Sequence, residues 1–142
     1  MGATLIANVA VTVRDIVRKA DGLDEWLPKQ TIQNELKRPV FANNFPQEVQ
    51  DSTSFTSIRV EEILSQPTSF GGDHANALKQ YVTLQIWYAK NANYEDFEWK
   101  LNQLLERNGF YQTDSTGHQS DTETGQMETT LTYNTIKNKR GN

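Results

Sequence analysis

The sequence predicts an α+β fold: one mostly antiparallel sheet with two main helices packed on a single face. Three observations carry that expectation. Residues 78–88 alternate strictly, with Leu78, Gln80, Val82, Leu84, Ile86 and Tyr88 on one side and Lys79, Tyr81, Thr83, Gln85 and Trp87 on the other. Tyr94, Phe97, Leu101, Leu104 and Leu105 recur at helical spacing. The strand-like segments also follow one another in hairpin succession rather than alternating with helices. A chain of 142 residues fits a single domain, residues 1–142, of which 136–142 are expected to fray.

In order along the chain, the first element is a helix. Leu5, Ile6, Val9, Val13, Ile16, Val17 and Ala20 form its apolar stripe, with Thr4 as N-cap and Arg18 and Lys19 opposing the dipole at its end. Asp21-Gly22 punctuates it. Residues 23–38 predict a short helix opened by Pro28, with Ile32 and Leu36 four residues apart on one face and Pro39 as the stop. A short strand over 40–43 and a turn at Pro46 follow. The next strand begins at Phe55, and its apolar pattern breaks at Glu62, which predicts either a bulge there or the strand's exit from the core. Residues 66–77, QPTSFGGDHANA, have no periodicity and read as a loop before the strong strand at 78. Asn93 is placed to cap the second main helix, Glu95 and Asp96 suit its first turn, and Gly109 suits its C-terminal stop. The remainder reads as two strands joined by a polar turn, the last showing Met127, Thr129, Leu131, Tyr133 and Thr135 on one face.

Composition excludes several function classes. Hydrophobic residues are 36% of the chain and the formal net charge is −4, with a mean hydropathy of −0.70. A mildly acidic domain is a poor candidate for gripping phosphate backbones, which rests on an excess of Lys and Arg. There is no cysteine, so disulfides, thiolate metal sites and a cysteine nucleophile are all ruled out. No run of roughly 18 apolar residues exists to span a bilayer. The stretch TLIANVAVTV lacks the basic flank and cleavage site of a signal peptide, so the mature chain is expected to start near Met1.

The candidates for chemistry are few. The two histidines, His74 and His118, read as solvated loop residues, although Asp73-His74 has the form of a base with its orienter. Asp114, His118 and Asp121 have metal-like spacing only on a helix, and this is a hairpin region. Asp121, Glu123 and Glu128 lack the EF-hand pattern. Gly71-Gly72 is not followed by the Lys-Ser/Thr of a phosphate loop, and no serine stands in a nucleophile elbow. No catalytic, metal or cofactor site is therefore expected, and the chain is read as a non-enzyme. Tyr81 and Trp87 stand out instead, as aromatics on the polar strand face. They are either covered within the chain or serve as anchors for another subunit.

Three segments carry a resemblance to a known family: FANNFPQEVQDS (41–52), ILSQPTSFGGDHANALKQYVTLQIWYAK (63–90) and DTETGQMETTLTY (121–133). They resemble small tail-terminator or tail-completion proteins of long, non-contractile-tailed phages of Gram-positive, particularly lactic acid, bacteria, which are similar in architecture to the tail terminator of lambda. The corresponding residues are Phe45-Pro46, the run Pro67 to Gly72, Gln85-Ile86-Trp87-Tyr88 and the run Asp121 to Gln126. The resemblance covers about two thirds of the chain, and residues 21–38 make a longer link than the family uses.

The resemblance implies a homo-oligomeric ring, expected to be a hexamer, at the head-proximal end of the virion tail. Its partners would be copies of itself, the major tail tube protein and the head–tail connector, with DNA passing without specific binding and no membrane contact. Assembly would take place in the host cytoplasm. The interface residues implied are Phe70, Gly71, Gly72, Asp73, His74, Tyr81, Trp87, Asp121, Glu123 and Gln126. The segments 66–77 and 113–126 are expected to become ordered on meeting tube or connector. A head-completion or neck connector ring is the alternative within phage biology. A small cellular binding module or hydrolase is the alternative outside it.

Overall fold

A computed structural model describes residues 8–71, 74–90 and 92–138, with side chains except at 68–76 and 137–138. The fold is the expected α+β arrangement. A six-stranded sheet has the order β3-β4-β5-β8-β6, with β7 also paired to β8. Its strands are β3 (Val40–Ala42), β4 (Ser57–Gly71), β5 (His74–Trp87), β6 (Tyr111–Ser115), β7 (Gln119–Ser120) and β8 (Met127–Asn138). Every pairing is antiparallel except β3 with β4. Two helices, α1 (Val9–Lys19) and α3 (Tyr94–Arg107), share one face of the sheet. Val13 and Val17 of α1, Phe97, Leu101 and Leu105 of α3, and Val40, Ile58, Val82, Leu84, Ile86, Leu131 and Tyr133 of the sheet form one core. The alternation of β5 is realised: Gln80, Val82, Leu84, Ile86 and Tyr88 are buried, while Tyr81 and Trp87 on the other face are half-buried.

Helix α3 ends and begins as its sequence dictates. The Asn93 side chain accepts from Asp96 N, and Glu95 and Asp96 lie in the first turn. At the C-terminus Gly109 takes φ +83, Gly109 N donates to Glu106 O at 3.0 Å and Phe110 N donates to Leu105 O at 2.9 Å. That pair of bonds is a Schellman motif, and it requires a residue tolerant of the left-handed region.

Helix α1 is capped by Asn8, whose side chain accepts from Val11 N; the earlier part of the expected stripe, with Thr4, Leu5 and Ile6, lies outside the described residues. Its C-terminal carbonyls find a partner far along the chain. The Arg38 guanidinium is buried and donates to Val17 O at 2.7 Å, Arg18 O at 3.3 Å and Ala20 O at 2.6 Å, and to Asp24 Oδ1 at 2.7 Å. Carbonyls that a helix end leaves unpaired thus receive charged donors.

The segment 23–38 corrects the expectation of a helix. Residues 30–37 form a hairpin of β1 (Gln30–Ile32) and β2 (Glu35–Lys37), with Thr31 opposite Leu36. Gln33 and Asn34 both have positive φ, 54° and 65°, as a two-residue hairpin turn of type I′ demands. Ile32 is buried and Leu36 exposed, so the two do not share a buried face. A single turn of helix, α2 (Gln47–Gln50), follows the Pro46 turn.

The segment 66–77 is likewise not a loop. Strand β4 continues to Gly71 and β5 begins at His74, with Ser65 opposite Gln80, Thr68 opposite Ala77 and Gly71 opposite His74. The register shifts between Glu62 and Leu64, so of the two expectations for the break in the apolar pattern the bulge is the one realised. Among the described residues β3 covers β4 only at 58–60, and β8 covers β5 only as far as Ala77. The hairpin is therefore a ribbon that continues past its sheet neighbours. Pro67 falls where β4 is an edge strand, the position at which a sheet tolerates proline.

Candidate functional site

Phe41 succeeds Val40 in β3 and so points to the opposite side of the sheet from the main core. There it joins Ile32, Val49, Phe45 and Phe55 in a second apolar cluster. Phe45 stacks on Trp87 with centroids 5.0 Å apart and planes at 27°, and Phe41 meets Phe45 edge-on at 6.0 Å. This cluster exists because the β3–β4 connection, carrying α2, folds over one end of the outer sheet face. Trp87 is thereby half-covered within its own chain.

The rest of Trp87 lines a cleft of about 240 Å³, bounded by Phe45, Val49 and Arg59 on one side and Asp121, Glu123 and Gln126 on the other. The acidic wall is a tight turn between β7 and β8. Asp121 N donates to Gln126 O at 2.7 Å and Gly125 N to Asp121 O at 2.8 Å; Gly125 supplies the positive φ. Asp121 Oδ1 accepts from Glu123 N at 2.8 Å, which fixes the turn from inside. Gln126 is buried and donates from Nε2 to Tyr88 O, tying the turn to the end of β5. Arg59 is held by Glu61 at 2.8 Å and by Asn43 O at 3.2 Å. Neither Asp121 nor Glu123 is ion-paired among the described residues.

Of the residues singled out from sequence, Trp87, Asp121, Glu123 and Gln126 thus converge on one cleft. Tyr81 does not join them: it lies six positions back along β5, about 20 Å at the rise of a strand. Phe70, Gly71 and His74 lie at the tip of the β4–β5 ribbon, where the structure describes the backbone only. Gly72 and Asp73 lie outside the described residues.

His118 is exposed in the connection between β6 and β7, as its sequence position predicts, but it has partners there. Its Nε2 lies 2.6 Å from Glu98 Oε2, and its ring centroid lies 4.1 Å from that of Tyr94. The Tyr88 hydroxyl donates to the same carboxylate oxygen. Burial, and then the hydrogen bond to Glu98, pushes the Tyr88 phenol far above its ordinary value, and burial raises Tyr133 as well. Tyr133 donates to Asn102 Oδ1 at 3.1 Å. Sequence spacing held no signal for the Tyr88–Glu98–His118 grouping, whose members come from the end of β5, α3 and the β6–β7 connection. Among the described residues no three His, Asp or Glu side chains gather as a metal site, and no helix is long and apolar enough to cross a membrane.

A third feature spans the outer sheet face. Leu64 is opposite Tyr81, Tyr81 opposite Asn134, and Asn134 opposite Tyr111, with Ile136 in the next row opposite Lys79. Leu64, Tyr111 and Ile136 are 45, 54 and 57% exposed. The register thus places Leu64, Tyr81 and Tyr111 in one row with polar Asn134, and Ile136 in the next, on the face opposite the helices.

The fold and these surfaces define a small α+β domain, one sheet with helices on one face and an extended hairpin ribbon at its side. The chain belongs to a family described as a protein of unknown function, DUF806, whose sequence profile matches residues 28–137. The match spans the cleft and the sheet, short only of the last residue of β8, and begins after α1. No curated protein matches the chain.

Proposed function

We propose that this chain is a structural protein of a phage tail, which caps the completed tail tube as a ring and supplies the surface that joins the head connector. The observation that carries the reading is the row Leu64–Tyr81–Asn134–Tyr111 with Ile136 beside it. Exposed Leu64, Tyr111 and Ile136 grouped around half-buried Tyr81 and polar Asn134 on one sheet face are the kind of surface that takes a protein partner. A ring subunit needs distinct surfaces for two neighbours and for two axial partners. This row, the projecting ribbon and the cleft at Trp87 are three such surfaces on one small domain. The resemblance of residues 41–52, 63–90 and 121–133 to tail-terminator proteins points the same way. The reading assigns the chain no catalytic step, and it takes passing DNA as a non-adhering cargo because the chain carries net negative charge.

The test is polymerisation of the tail tube protein with and without this chain. The reading expects added protein to arrest tube growth and make finished tails competent for head joining. Tubes of unchanged length, with heads that still fail to join, would sink it. Unchanged tube length with restored joining would favour a head-completion ring instead.

A further inference from the structure

We infer that the cleft at Trp87 receives the basic segment 137–140 of a second copy of this chain, so that subunits join head to tail. The inference rests on the reading of the chain as a ring subunit and names the contact that would make the ring. Its first ground is charge. Residues 137–140 read Lys-Asn-Lys-Arg, three cations in four positions. Asp121 and Glu123 on the cleft wall have no ion-pair partner among the described residues, whereas the one cation of the lining, Arg59, is engaged by Glu61. The exposed part of Trp87 adds an aromatic wall against which a guanidinium or ammonium packs favourably.

The second ground is geometry. Trp87 pairs with Glu128 near the start of β8, while Asn138 pairs with Ala77 at the far end. Ten residues of strand separate Glu128 from Asn138, about 33 Å. Arg140 is two residues beyond Asn138 and so reaches only about 7 Å further. A subunit therefore cannot place its own basic segment in its own cleft, and only another copy can. Because the donor segment and the acceptor cleft lie at opposite ends of the sheet, a copy can give its segment to one neighbour and receive that of another, which makes the head-to-tail contact heterologous. Such contacts close into a ring or run on as a filament.

The experiment uses a fluorescently labelled peptide of residues 134–142 and the full chain, followed by anisotropy. Binding should weaken with added salt, as exposed charge pairs do. Asp121→Asn with Glu123→Gln should weaken it about tenfold, the equivalent of two such pairs. Asn at position 121 can still accept from Glu123 N, which keeps the turn. The peptide carrying Lys137→Gln, Lys139→Gln and Arg140→Gln provides a second arm that leaves the chain unaltered, and it should lose binding. Absence of binding, or equal affinity of the charged and neutral peptides, would overturn the inference. So would affinity unchanged by the cleft substitutions in a chain of native circular dichroism. Peptide capture without arrest of the tail tube would leave this contact standing and remove the tail assignment; arrest without capture would do the reverse.

Discussion

Replacing Arg38 by methionine tests how the end of α1 (9–19) is held. Methionine keeps the apolar stem but removes every donor. Arg38 is buried and gives two short bonds, 2.7 Å to Val17 O and 2.6 Å to Ala20 O, with a longer one of 3.3 Å to Arg18 O. A hydrogen bond to a charged group contributes about 1.5–3 kcal/mol net. Counting only the two short bonds at the low end gives a loss of about 3 kcal/mol, a large fraction of the roughly 5–15 kcal/mol that holds a domain together. Urea denaturation followed by far-UV circular dichroism would measure it as a lowered midpoint at unchanged slope. Asp24 accepts from the same guanidinium but is largely exposed, so Asp24→Asn should cost far less than Arg38→Met. Arg38 holds the Asp24 carboxyl below its ordinary 3.8. The contribution of that pair is therefore complete above 3.8 and fades as pH falls toward the lower folded value. A loss under about 1 kcal/mol for Arg38→Met would refute the capping argument, since water would then be serving the carbonyls equally well.

Other expectations follow from the same geometry. Tyr88 and Tyr133 are raised above their ordinary 10.0, so the fold loses stability as pH climbs past that value; their phenolate absorbance should appear together with loss of circular dichroism, not before it. At Gly109 an added Cβ would meet only Thr135 Oγ1 at 3.9 Å, so Gly109→Ala should cost the backbone strain alone, about 1–2 kcal/mol by thermal unfolding. Leu64→Gln with Ile136→Gln should leave monomer stability within about 0.5 kcal/mol, because both are exposed, while weakening self-association in light scattering. Trp87→Ala removes the Phe45 stack outside the main core; the chain should stay folded and lose affinity for the labelled 134–142 peptide.

What sequence alone determined is what local physics encodes. Helix α3 was legible because Asn93, the Phe97–Leu101–Leu105 spacing and Gly109 are short-range requirements of any helix start, stripe and stop. Strand β5 was legible because one of its faces is buried, which imprints alternation on the residues. The segment 66–77 carries no alternation to read, because the backbone pairing that joins β4 to β5 there leaves no mark on residue type. The hairpin at 30–37 reads as a helix in sequence because Ile32 and Leu36 stand four apart, while Asn34 is the residue that suits its two-residue turn. Tertiary structure alone decided the contacts between distant positions. Arg38 reaches carbonyls 18 to 21 residues away, His118 meets Glu98 across 20, and Trp87 lines one cleft with the Asp121 turn. No local preference specifies such pairs, because they are selected only when the sheet register brings their elements together.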